Sequence, residues 1–186
     1  MKKIGVILAR FQPIHNGHLA LIRKASEEND AVHIFIGSAD KFNERNPIPV
    51  NIRHELVIKA INEAEIKNCS VHLLDDLTNE SDNSHDWGFY LYSKIVTEIQ
   101  QSNFTIYYSD GFEIITSWFP GFLLRNNVSL SLLARNATES GISATKVRKI
   151  ILGEMIVDDL GKYVPKCVCE QQNTIKNLIE LSKLKG

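Results

Sequence analysis

Short apolar runs of strand length alternate along this chain with segments whose apolar residues recur every three or four positions. That alternation restricts the fold more than any other feature. Lys3 to Ala9, Ala31 to Gly37, Val71 to Leu74, Phe104 to Tyr108 and Val128 to Leu133 are strand candidates. Between them Leu19, Leu21, Ile22 and Ala25, then Ile52, Leu56, Val57, Ala60 and Ile61, then the segment Phe89 to Ile99 follow helical spacing, and a further helix is expected from about Ser143 to Leu152. Strand and helix in repeated succession predict an α/β fold: a Rossmann-like doubly wound parallel sheet of five or six strands, covered on both faces. Ile4 to Leu8 and His33 to Ile36 are nearly continuous apolar runs, as strands buried on both faces tend to be. In such sheets ligands bind beyond the carboxyl ends of the strands.

A chain of 186 residues is expected to form one domain, with a core of about residues 1–153 and a C-terminal helical segment of about 154–186. In that segment a helix from about Lys166 to Leu184 carries Ile175, Leu178, Ile179 and Leu181 as an apolar stripe. The 21 basic residues nearly cancel the 22 acidic ones, which argues against a surface built to neutralise a long nucleic acid. Lys2-Lys3 before Ile4 to Ala9 mimics a signal peptide, but the apolar run ends at Arg10 and reads better as a first strand. No apolar stretch approaches the ~20 residues that span a bilayer. The expectation is a soluble, cytoplasmic protein with neither nucleic-acid nor membrane partners, forming a homo-oligomer. Cys69, Cys167 and Cys169 suggest neither a disulfide framework nor a structural metal site.

The sharpest local feature is Arg10-Phe11-Gln12-Pro13-Ile14-His15-Asn16-Gly17-His18, between the first strand and the first helix. Two imidazoles flank a glycine that lets backbone approach a ligand, and the helix dipole aims its positive end at the same point. The arrangement is that of an anion site; the alternatives are ordinary turn histidines, or a metal pair lacking an evident third ligand. A second feature, Ile142-Ser143-Ala144-Thr145-Lys146-Val147-Arg148, follows Gly141 and opens the last helix of the sheet. Ser143 suits an N-cap, and Thr145 and Arg148 lie three apart on one face. Alone this could be capping with a solvated basic turn. Paired with the first motif it suggests a second phosphate clamp.

These two stretches together resemble the signature pair of the HxGH nucleotidylyltransferases. Arg10-Phe11-Gln12-Pro13 and Ile36-Gly37-Ser38-Ala39 narrow the resemblance to archaeal-type nicotinamide mononucleotide adenylyltransferases and their bacterial relatives. The resemblance implies transfer of the adenylyl group of ATP to the 5′-phosphate of nicotinamide or nicotinate mononucleotide, with release of pyrophosphate. It implies His15, His18 and Arg148 as the catalytic residues. Arg10, Phe11, Gln12, Gly17, Ile142, Ser143 and Thr145 would hold ATP, and the loop from Ala134 to Ile142 would border the adenine. Asp110, before Gly111, is either a nucleotide-edge contact or only a turn. Residue chemistry agrees independently: a phosphate nucleophile is already ionised at neutral pH, so positioning and charge neutralisation suffice. Mg²⁺ would be bound mainly through the ATP phosphates and need few protein ligands.

For the acceptor, two loops are longer than connection requires, Ser38 to Asn51 and the acidic Asp75 to Gly88. Trp87 in the second could stack on a cationic pyridinium ring, as a tryptophan there does in the resembled family, or it could simply cover the core beside Phe89 and Tyr90. Asn83 and Ser84 could read a carboxamide. The narrowing motif also places Ser38 at the acceptor. Arg45 and Arg53 are candidates for the acceptor phosphate, unless solvated or paired with Glu44 and Glu55. Two further readings stay open: a cytidylyl- or adenylyltransferase acting on another small phosphorylated alcohol, and a nucleotide-binding regulatory module without turnover.

Overall fold

The computed structural model describes residues 2–79, 81–110, 114–134 and 141–184. Five strands, β1 (Ile4–Ala9), β2 (Ala31–Ile36), β3 (Cys69–Leu73), β4 (Phe104–Ser109) and β5 (Val128–Leu133), form one parallel sheet in the order β3-β2-β1-β4-β5. The chain winds outward from β1 to β3, then returns to lay β4 against the free side of β1. That reversal opens a crevice at the carboxyl ends of β1 and β4, where ligands bind in sheets of this kind.

Strand alternation divides the core in two. Ile7, Ile34 and Ile36 face α1 (Asn16–Glu28), α2 (Val50–Glu63) and α6 (Ala144–Leu152) on one side. Val6, Phe35 and Ile106 face α3 (His85–Ile99), α4 (Ile115–Trp118) and α5 (Gly121–Asn126) on the other. Successive strand residues point to opposite faces, so a strand with apolar residues at every position must be covered twice. The C-terminal segment does not lie apart from this core. Val164, Cys167 and Val168, Ile175 and Ile179, from α7 (Lys166–Glu170), α8 (Gln172–Lys183) and the turn before them, belong to the first cluster.

Element boundaries differ from expectation in two instructive places. The single helix expected over 166–184 is broken at Gln171 into α7 and α8. The acidic loop ends at Ser84 rather than at Gly88, because the Ser84 hydroxyl accepts the Trp87 amide at 3.2 Å and starts α3 four residues early, at His85. Trp87 therefore sits in the first turn of a helix, not in a loop. At the far end of the sheet, Gly153 takes the left-handed conformation (φ 78°) that ends α6 close to where periodicity had placed its limit.

Candidate active site

The chain leaves β1 through Arg10 and Phe11, whose φ of 50° is left-handed, a conformation non-glycine residues adopt only when their surroundings hold it. Phe11 is buried and its ring lies 4.7 Å from that of His18. His15 caps α1: its Nδ1 accepts the His18 amide at 3.3 Å, and the two imidazoles stack with centroids 3.8 Å apart. An accepting Nδ1 leaves Nε2–H as the donor of the neutral His15 ring. Gly17 eases the packing here, since a Cβ would sit 3.1 Å from the His15 ring and 3.7 Å from the Ile142 carbonyl. The second contact shows that the two signature stretches, more than a hundred residues apart in sequence, meet.

Their junction is hydrogen-bonded. Arg148, on α6, donates to the Gln12 carbonyl at 2.8 Å and to the Thr145 hydroxyl at 3.4 Å. Burial, and next the charge of Arg10, pull the Arg148 pKa down from its ordinary value; two guanidinium groups brought to one site favour an anionic ligand there. Ser143 caps α6 by accepting the Lys146 amide at 3.3 Å. Arg10, Phe11, Gln12, His15, Gly17 and His18 line a cavity of about 590 Å³ together with Ile142, Ser143, Thr145 and Arg148. Ser38, Arg45, Asn83 and Trp87 line the same cavity, whose volume suits a ligand of nucleotide size.

Several expected roles change on inspection. Arg53 does not reach the cavity: it is 0% exposed and its guanidinium donates only to main-chain carbonyls, so it cannot bind an acceptor phosphate. Gln12 does line the cavity, but its side chain is spent on the Ile48 main chain, accepting from N at 2.9 Å and donating to O at 3.2 Å. It acts as a brace, not a phosphate ligand. The α1 amides are also partly occupied, Asn16 N donating to Tyr163 O and His18 N to His15 O, both at 2.9 Å; anion binding rests more on side chains than the dipole argument implied. Asp110 lies in the turn after β4 and is not among the described residues that line the cavity. Of the stretch from Ala134 to Ile142 expected beside adenine, residues 135–140 lie outside the described residues.

Trp87 sits at the border of core and cavity. It belongs to the second core cluster, 7% exposed, and it also lines the cavity. Its indole stands edge-to-face with Trp118 at 5.8 Å, and its Nε1 has no hydrogen-bond partner among the described residues. Trp118, which sequence reasoning missed, lines the cavity as well; its signal was being the second of only two tryptophans in the chain. The acidic wall was missed too. Asp76 and Asp82 both line the cavity, and Ser38 (φ 49°) donates to Asp76 at 3.1 Å. Arg45 donates to Ser81 at 2.7 Å rather than pairing with Glu44. Ser84, as the α3 cap, also donates to Asp82 at 2.6 Å, so its hydroxyl is already committed.

Comparison with known proteins agrees with this geometry. The cytidylyltransferase-like family matches residues 6–150, a span that includes both motifs. The nicotinamide-nucleotide adenylyltransferase of Thermococcus kodakarensis is 37% identical over 75 residues, covering 40% of this chain and 40% of that protein. The matched segment is thus less than half the length of that relative. Among solved structures, a putative nicotinate-nucleotide adenylyltransferase from Vibrio parahaemolyticus superposes with a TM-score of 0.68 at 19% identity, over 93% of this chain and 99% of that one. A bifunctional NMN adenylyltransferase/ADP ribose pyrophosphatase from Francisella tularensis gives 0.68 at 19%, over 98% of this chain and 52% of that one. Such similarities carry the fold. With a match across most of its length and both signature stretches on one cavity, the chain belongs to the cytidylyltransferase-like family.

Proposed function

We propose that this cavity joins ATP to a pyridine mononucleotide. A 5′-phosphate oxygen of nicotinamide or nicotinate mononucleotide attacks the α-phosphorus of ATP. The new P–O bond forms as the bond to the β-phosphate breaks, and pyrophosphate leaves with the electron pair; no proton moves at the reacting atoms. The observation that carries this reading is the convergence of His15, His18, Thr145 and Arg148 on one cavity. The name of the Thermococcus kodakarensis relative supports the choice of adenylyl donor and pyridine acceptor.

The roles follow from charge. His15 Nε2–H and the His18 ring donate to the phosphoryl oxygens as negative charge shifts to the leaving group. Arg148 and Arg10 neutralise the β- and γ-phosphates, with Thr145 and Ser143 supplying hydroxyl contacts. Trp87 and Trp118 offer aromatic surface to the pyridine ring, and Arg45 offers a cation to the acceptor phosphate. Among the described residues no three His, Cys, Asp or Glu gather to hold a metal ion. Mg²⁺ would arrive on the triphosphate, with Asp76 or Asp82 of the cavity wall as carboxylate partners. Bound there, the ion would neutralise phosphate charge. A cytoplasmic homo-oligomer is part of the same reading, checked by light scattering on the purified protein.

A pyrophosphate-release assay crossing ATP and CTP with both mononucleotides and a panel of phosphorylated alcohols tests the function. Release with ATP and either mononucleotide is expected, and His18→Ala should lower turnover about 10²-fold, the scale of losing one transition-state donor. Release with CTP alone, or only with a non-pyridine acceptor, overturns the assignment.

A further inference from the structure

Among the described residues Arg53 is a fully buried charged side chain whose hydrogen-bond acceptors are all main-chain carbonyls. The guanidinium of Arg53 donates through Nε to Ile48 O at 2.9 Å, through Nη1 to Arg10 O at 2.9 Å and Gly37 O at 2.8 Å, and through Nη2 to Ser38 O at 2.9 Å. Its four acceptors come from three separate segments: the exit of β1, the exit of β2 and the loop before α2. Three of the four, Arg10, Gly37 and Ser38, belong to residues that line the cavity. Ile48 in turn is clamped by the Gln12 side chain, and Gln12 O receives Arg148. One unbroken hydrogen-bonded path therefore runs from Arg148 through Gln12, Ile48 and Arg53 to Arg10 and Ser38.

Resting on the function proposed above, we infer that Arg53 is a positioning residue for the transfer: by donating to the carbonyls of Arg10 and Ser38 it holds the phosphate wall and the acceptor wall at a fixed separation. The planar fork suits this task as no other side chain does, because it can reach carbonyls on three sides in one plane. Lysine carries the same charge but its donors radiate from a single nitrogen, so it cannot span three segments at once. Proximity catalysis is sensitive to this kind of support, a misplacement of about 1 Å costing about 10²-fold. Ser38 makes the need concrete. Its left-handed backbone (φ 49°) is costly for a serine and persists only where neighbours impose it.

The test uses Arg53→Lys in the full chain, alone and combined with Arg10→Ala. Turnover at saturating substrates should fall about 10- to 100-fold in Arg53→Lys while the far-ultraviolet spectrum and cooperative unfolding persist. If Arg53 acts through Arg10, the double variant should be little worse than Arg10→Ala alone. Hydrogen exchange supplies a second readout that does not depend on which substrates the cavity takes: amides of residues 10–12 and 37–39 should exchange faster in Arg53→Lys, with exchange in α3 unchanged. Wild-type inactivity with pyridine nucleotides, together with the localised exchange change, would sink the function but keep the positioning role. Full turnover in Arg53→Lys, multiplicative losses in the double variant, exchange that rises evenly across the sheet, or failure of the variant to fold would each assign Arg53 to stability and overturn the inference.

Discussion

Trp87 is where competing demands meet in one side chain. Its indole fills part of the core on the α3 side of the sheet, and its Nε1 is buried without a partner among the described residues. Replacement by alanine would mix a large packing loss with any effect on ligand, so Trp87→Phe is the informative change. It should raise the acceptor KM a few-fold, less than the about 30-fold of losing all of about 2 kcal/mol of aromatic attraction to a cationic ring because phenylalanine keeps a weaker π face, and leave the KM for ATP unchanged. Steady-state kinetics with each substrate varied in turn checks it, and equal effects on both would return the residue to a packing role. Arg53 shows what the residue scale hides. It stands on the stripe of Leu56, Val57 and Ala60 at the spacing of a buried helix face, and that position was a signal of burial. A guanidinium in such a stripe suggested a ligand site because its true partners, four main-chain carbonyls, leave no trace in side-chain identity.

Among the elements, β1 and β2 were legible because a strand buried on both faces must be apolar at nearly every position, whereas the edge strand β5 was legible from Val128 and Leu130 alternating with Ser129 and Ser131; all three were read within a residue or two of their limits. The start of α3 was not, because its first turn, Ser84 to Trp87, is composed of polar capping residues that look like a loop until the hydroxyl is seen to accept a backbone amide. The approach of α3 to α4 was illegible for another reason: it depends on a missing atom. A Cβ on Gly88 would lie 1.9 Å from the carbonyl oxygen of Trp118, so the first turn of α3 meets the end of α4 only because glycine is there. Gly88→Ala should force α4 outward and separate Trp118 from Trp87, costing about 1–3 kcal/mol or more as an overpacking change. A lower urea midpoint at unchanged slope, with an altered near-ultraviolet tryptophan signal, is the expected result. An unchanged midpoint would mean that the helices separate freely and that their contact does not shape the cavity.

For the whole molecule, the site occupies the sheet's carboxyl edge, and its sensitivity to acid originates elsewhere. His33 on β2 and His72 on β3 place ring nitrogens 3.0 Å apart, with Glu98 of α3 3.2 Å from the other nitrogen of His72 and Phe35 stacked on its ring. Burial lowers both histidine pKa values from 6.5; for His33 the charge of His72 adds to the lowering, whereas Glu98 opposes it at both rings. The unfolded chain therefore binds protons at these two positions before the folded one does, and stability is greatest above pH 6.5 and declines as pH falls through and below that value. The decline per proton withheld cannot exceed about 1.4 kcal/mol per pH unit. Asp40, Glu55 and Asp82 are held below their ordinary values of 3.8, 4.5 and 3.8, so their contribution is lost only in more acidic solution. His72→Gln keeps a polar side chain on the edge strand, removes one titrating ring and lifts the repulsion felt by His33. Urea midpoints at pH 7.5 and 5.5 should differ clearly in the wild type and less in this variant. An identical pH dependence in both would place the acid sensitivity in other groups and leave the histidine pair a neutral hydrogen bond between neighbouring strands.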